Sequence, residues 1–109
     1  MNDYLQRYQV AVQHPSVSAF ELLDMLMVRD KLAEQAHLLS RAEQLQLTAA
    51  DQMLIMHAKE IVTELSNITD LAHEREQRQA TQERWWWYLD VFAAAPLGSP
   101  SLHKLPNAA

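Results

Sequence analysis

From Ser16 to Ala95 the chain runs for eighty residues without a proline or a glycine. That stretch is rich in Leu, Ala, Gln, Glu and Met, side chains that lose little freedom in a helix. Sustained alternation of apolar and polar residues, the mark of a half-buried strand, occurs nowhere in it. An all-α fold follows. Helix breakers crowd the two ends instead: Pro15 on one side, and Pro96, Gly98, Pro100 and Pro106 on the other. The pattern predicts a single helical domain over residues 1–95 and a Pro-containing flexible tail over 96–109.

Composition removes several classes of function. With no cysteine there is no disulfide framework, thiolate metal site or cysteine nucleophile. The lone glycine, Gly98, is too few for a glycine-rich phosphate loop. Nine basic against fourteen acidic residues give a formal charge of −5, which disfavours a nucleic-acid partner. The opening Met1–Arg7 lacks the charged start and apolar run of an export signal. No stretch approaches the ~20 apolar residues of a spanning helix. The expectation is a cytoplasmic chain, with membrane-peripheral attachment as the alternative.

Capping chemistry sets the expected helix boundaries. A first helix over residues 2–13 carries Tyr4, Tyr8 and Val12 on one face and stops at His14-Pro15, since proline disfavours the α conformation in its predecessor. Ser18-Ala19-Phe20-Glu21 forms a capping box, with Val17 and Leu22 placed as a hydrophobic staple, and opens a second helix over 18–39. Ser40-Arg41-Ala42-Glu43 is a second box and Thr48-Ala49-Ala50-Asp51 a third cap, so a turn or one short helical segment is expected between them. A long third helix then covers 48–92.

That third segment has the cleanest periodicity. Leu54, Ala58, Ile61, Leu65, Ile68 and Ala72 are spaced 4, 3, 4, 3 and 4, a coiled-coil seam. The second helix offers Leu22, Met25, Leu32, Ala36 and Leu39, interrupted by Arg29, and a short connection makes the two antiparallel. Their lengths do not match: about 33 Å for the second helix and about 70 Å for a continuous third. Either the long segment breaks near 66–67 to form a bundle, or it overhangs and associates with another copy through the seam.

Residues 73–84 contain Ala80 as their one apolar side chain and suggest a solvated spacer helix. The run that follows, Trp85-Trp86-Trp87-Tyr88-Leu89, is joined by Phe92; five of the chain's eight aromatics therefore occupy eight positions. On an α-helix three consecutive residues fan across roughly 200°, so a single core cannot receive all three indoles. Trp85, Tyr88, Leu89 and Phe92 share a face that can close the bundle against Tyr4 and Tyr8, whereas Trp86 or Trp87 is left for a partner. The partner-binding candidates are Trp85, Trp86, Trp87, Tyr88 and Phe92, with Arg84 at the rim.

Metal and nucleophile chemistry have weaker footing. Glu34 with His37 and Asp70 with His73 are carboxylate-x-x-His pairs of the type found in di-iron bundles, but they lie beside the seam and lack inward glutamates. His57 fits an exposed helix position, and Glu60 and Glu64 a solvated face. The serines and threonines sit where caps belong. No catalytic residue and no cofactor is expected.

Tyr4-Leu5, Tyr8, Ala11-Val12, Pro15, Leu26, Arg29-Asp30, Leu32 and Trp85-Trp86-Trp87-Tyr88-Leu89-Asp90 together resemble a group of uncharacterised cyanobacterial proteins. The resemblance spans residues 4–90. It implies a small helical domain ending in a Trp-Trp-Trp-aromatic-Leu stretch, followed in longer members by a membrane-embedded segment, and it implies no activity. Here a Pro-rich stretch stands where that segment would be.

The sequence thus leads to a non-enzymatic helical interaction module with a protein partner, a homo-oligomer first of all. Its contact surface is the Trp85–Phe92 segment and its self-association seam runs from Leu54 to Ala72. The alternatives are a peripheral membrane module with interfacial tryptophans and a carboxylate–histidine metal-binding bundle.

Overall fold

The computed structural model describes residues 2–94, so the tail expected over 96–109 lies outside the described residues. The fold is an all-α bundle, and no strand occurs among the described residues. Six α-helices are present among the described residues: α1 (Asp3–Gln13), α2 (Ala19–Glu34), α3 (Arg41–Met56), α4 (Ala58–Leu65), α5 (Leu71–Arg78) and α6 (Leu89–Ala94). A 3-10 turn follows α2 at Ala36–Leu38, and a second, Trp85–Tyr88, precedes α6.

Three helix starts follow their caps. Asn2 accepts hydrogen bonds from the backbone N–H groups of Tyr4 and Leu5. Ser18 with Glu21, and Ser40 with Glu43, close complete capping boxes. Glu43 also accepts from the backbone N–H of Asn2 at 3.0 Å, which ties the start of α1 to the start of α3.

The expected boundary at Thr48 is not observed. The box at Ser40 opens α3 directly, and Thr48 lies inside it, donating its hydroxyl to the Gln44 carbonyl. A hydroxyl that bonds one turn back does not compete with the helix. The second helix ends at Glu34 and tightens into the 3-10 turn, short of Leu39.

The long third segment takes the first of its two expected courses: it breaks. Residues 66–70 leave the helix between α4 and α5, where Asp70 caps the next start by accepting from the Ala72 N–H. Two further interruptions were not expected. At His57 (φ −98°, ψ 12°) the chain kinks between α3 and α4, although its N–H still reaches Met53 and its carbonyl still receives Ile61. At Gln79 (φ 52°, ψ 41°) the left-handed conformation ends α5. There the N–H groups of Gln79 and Ala80 bond back to the carbonyls of Glu76 and Arg75, the paired bonds of a Schellman motif, and Ala80 is buried beneath.

Breaking the segment places the seam inside the chain's own core. Leu54, Ala58, Ile61 and Leu65 are buried, Ile68 is half-buried and Ala72 is exposed. The first four therefore do not form the free self-association seam that an overhanging helix would present. The expected hairpin is divided as well. Helix α1 lies against both α2 and α3, while α2 lies against α4, which in turn carries α6. Leu5, Tyr8 and Val12 of α1 join Leu22, Met25, Leu26 and Leu32 of α2 in the same cluster.

Two outcomes test this account. Leu54 is fully buried in the core cluster, so Leu54→Ala lowers the unfolding free energy by about 2–5 kcal/mol in urea titration. Gln79 is a non-glycine residue at a left-handed position, and Gln79→Gly raises thermal stability by about 1 kcal/mol.

Candidate functional site

Position 29 interrupts the apolar seam of α2 with an arginine that is only 7% exposed. A guanidinium cannot lose its proton under ordinary conditions, so burial there demands a counter-charge and partners for its donors. Asp51 of α3 supplies both. Arg29 Nε donates to Asp51 Oδ1 at 2.9 Å and Nη2 to Oδ2 at 3.0 Å, a bidentate pair. Tyr8 of α1 donates its hydroxyl to the same Oδ1 at 2.6 Å. Three helices thus meet at one carboxylate.

Aromatic rings complete the cage. The guanidinium carbon of Arg29 lies 4.2 Å from the centroid of the Trp86 ring and 5.9 Å from those of Tyr8 and Trp85. Each such contact contributes on the order of 0.5–2 kcal/mol, more as water is excluded. Burial, with the Asp51 charge beside it, pushes the Tyr8 phenol far above its usual range. The phenol stays protonated and remains a donor.

Asp30, the next residue on α2, holds the other side of the tryptophan run. Its Oδ1 accepts the indole N–H of Trp86 at 2.8 Å and that of Trp87 at 2.9 Å. Arg84 Nε stands 3.7 Å away. Both indoles are inside: Trp86 is 2% exposed and Trp87 0%. This corrects the expectation that Trp86 or Trp87 faces a partner. That expectation spread the run at 100° per residue, but the residues form a 3-10 turn, in which successive side chains stand about 120° apart and i and i+3 eclipse. Trp85 and Tyr88 therefore share one half-buried edge, while Trp86 and Trp87 take the two inward directions.

The polar stretch before the run is not a solvated spacer. Helix α5 turns its arginines onto the aromatic cluster. Arg78 lies 4.4 Å from the Trp87 ring centroid and Arg75 lies 4.6 Å from that of Tyr88. Arg75 also donates to the Trp87 carbonyl at 3.0 Å and pairs with Asp90 of α6. Arg78 is held by Glu74, whose other oxygen accepts the Thr69 hydroxyl at 2.6 Å. The Thr69 bond, assisted by Arg78, keeps the Glu74 carboxyl below its usual range. Tyr88 closes the loop by donating to the Ala80 carbonyl at 3.0 Å.

What remains accessible is a narrow aromatic edge. Trp85 is half-buried and meets Phe92 edge to face at 5.9 Å; Tyr88 and Phe92 are also half-buried. Of the partner-binding candidates, these three and Arg84 reach the surface. The run closes the bundle around Arg29, whose guanidinium Tyr8 also approaches, while the Tyr4 ring lies beside Arg7.

The metal candidates stay apart. Glu34, His37, Asp70 and His73 are all exposed. Among the described residues no group of three or more His, Asp or Glu side chains could hold a metal ion. His57, half-buried at the kink, stands 3.6 Å from Glu60. The residues that sequence reasoning missed are Asp30, Asp51 and the polar end of Tyr8. Their signal was the arginine in the seam, which required an acid from a neighbouring helix.

Comparison of the chain with protein-family models, with curated proteins and with solved structures finds no match.

Removing Asp51 leaves the Arg29 charge buried and unpaired, so Asp51→Ala costs about 3–5 kcal/mol in chemical denaturation. Tyr8→Phe costs about 1–2 kcal/mol at neutral pH. The raised phenol gives a stabilisation that is fully present below the unfolded value near 10 and fades as pH climbs toward the folded one. Stability of the wild type therefore falls above about pH 10 more steeply than that of Tyr8→Phe, a difference that alkaline melts followed by circular dichroism record.

Proposed function

We propose that this chain is a non-enzymatic helical module for protein–protein interaction, with the Trp85–Phe92 segment as its contact edge. The observation that carries this reading is the division of labour within the segment. Trp86, Trp87 and Leu89 are fixed in the core, and Trp85, Tyr88 and Phe92 hold part of their rings at the surface on that fixed base. Aromatic side chains on a rigid support lose little entropy when a partner covers them, and such residues dominate binding energy at interfaces. Arg84 and Arg75 border the edge with positive charge, and Asp90 with negative charge, giving it a polar rim.

The partner that fits is a protein presenting an apolar side chain with an acidic neighbour for Arg84. Helix α5 and the 3-10 turn frame the edge, so its shape does not depend on the partner's arrival.

The test separates edge from anchor. Trp85→Ala with Phe92→Ala leaves the far-ultraviolet circular dichroism near that of the wild type and abolishes capture of a partner that the wild type retains in affinity purification. Trp86→Ala instead lowers stability by about 3–5 kcal/mol. Equal capture by the wild type and the Trp85/Phe92 double variant would remove this edge as the contact surface.

A further inference from the structure

The three indoles of the tryptophan turn spend their N–H groups differently. Those of Trp86 and Trp87 are both taken by Asp30 Oδ1. That of Trp85 has no acceptor among the described residues, and it is not sealed from solvent. The other polar groups around the edge are mostly committed. Tyr88 gives its hydroxyl proton to the Ala80 carbonyl, Arg75 binds the Trp87 carbonyl, and Asp90 is paired with Arg75. Arg84 approaches Asp30 through Nε at 3.7 Å, and its terminal N–H groups donate to nothing among the described residues. The edge thus combines ring surface with unspent donors at its Trp85 end, so a partner that covers it must bring acceptors there.

We infer that the occupant of this edge is a proline-rich segment of a partner protein in the polyproline II conformation, with an acidic residue beside it for Arg84. The inference rests on the interaction reading above and names its partner class. Three kinds of backbone could lie on the rings, and their hydrogen-bond supply separates them. A helix uses its carbonyls internally, so it brings the Trp85 N–H an acceptor only through a side chain. A β-strand brings an N–H with each carbonyl, and every donor it turns toward the rings and Arg84 goes unpaired. Proline has a carbonyl and no N–H. A polyproline II helix has no internal hydrogen bonds, so its carbonyls stay free to accept from an indole while its pyrrolidine rings cover Trp85, Tyr88 and Phe92.

Shape and stiffness agree with the chemistry. The planes of Trp85 and Phe92 stand at 77° to one another, a corner and not a flat platform. A polyproline II helix, with three residues per turn, is three-sided in section and presents a ridge to such a corner. Both sides are also stiff before they meet. Trp86, Trp87 and Leu89 fix the edge from beneath, and the proline ring sets its own φ, so little conformational entropy is lost on contact.

Nuclear magnetic resonance of the full chain follows the indole N–H signals, and Trp85→Phe identifies the one from Trp85. The probe is an acetylated octaproline peptide ending in two glutamates. On titration the Trp85 signal moves, and those of Trp86 and Trp87, held by Asp30, do not. Trp85→Phe keeps a ring and loses the donor, and it weakens binding about five- to tenfold, the worth of one hydrogen bond. Arg84→Glu weakens binding of this peptide and favours one ending in two lysines. Circular dichroism verifies the helix content of each variant. An unmoved Trp85 signal, wild-type affinity in Trp85→Phe, or equal affinity for an alanine-rich helical peptide with the same glutamates each overturns the inference. So does movement of the Trp85 signal without peptide, on raising the protein concentration or on replacing Pro96 and Pro100, which puts a second copy or the chain's own prolines on the edge. Partner capture that needs Trp85 and Phe92 while the proline peptide fails to bind removes the proline-rich occupant alone. Capture that ignores both residues removes the edge itself.

Discussion

A buried arginine is the constraint on which the rest of this structure depends. Arg29 sits where α2 meets the core, and moving its charge out of water costs several kcal/mol unless it is paired and bonded. The bonds that satisfy it come from distant parts of the chain: Asp51 from α3, with Tyr8 of α1 on the same carboxylate oxygen. The π-faces come from Tyr8, Trp85 and Trp86. Satisfying one side chain therefore fixes the relative positions of α1, α2, α3 and the tryptophan turn. Two adjacent residues of α2 divide the task, because Asp30 holds the indole N–H of Trp86, whose face lies on Arg29, together with that of Trp87.

The same logic repeats at lower burial in α5. Arg75 and Arg78 cover Tyr88 and Trp87, and Asp90 and Glu74 hold those arginines in turn. Each acidic partner restrains a cation that would otherwise prefer water, and each ring gains an attraction that a neutral neighbour does not provide. A segment with almost no apolar residues can consequently lie against the core. Its contribution is carried by arginine stems and planar guanidinium faces in place of leucines.

Helical content, the capping boxes and most of the core stripe were legible in the sequence because they depend on neighbours within one or two turns. Ser18 with Glu21, Ser40 with Glu43, and the buried run from Leu54 to Leu65 are of this kind. Three features escaped, two of them because they depend on contacts across the chain. The Trp85–Tyr88 turn is 3-10, with its indole N–H groups fixed by Asp30, fifty-six and fifty-seven residues away. Gln79 accepts a left-handed conformation that composition assigns to glycine. Arg75 and Arg78 turn inward from a stretch whose composition points to solvent.

Hydrophobicity alone does not decide which side of α2 faces in. Phe20, Leu23 and Met27 could line a core about as well as Leu22, Met25 and Leu26, so an apolar count leaves the helix free to rotate. Polar groups remove that freedom. Only one rotation brings Arg29 to Asp51 while Asp30 reaches both indoles. In that orientation Phe20 and Met27 are necessarily outside. The exposed apolar face is thus the other consequence of the buried charge: the network that specifies a single packing of the chain also sets which apolar side chains stay at its surface.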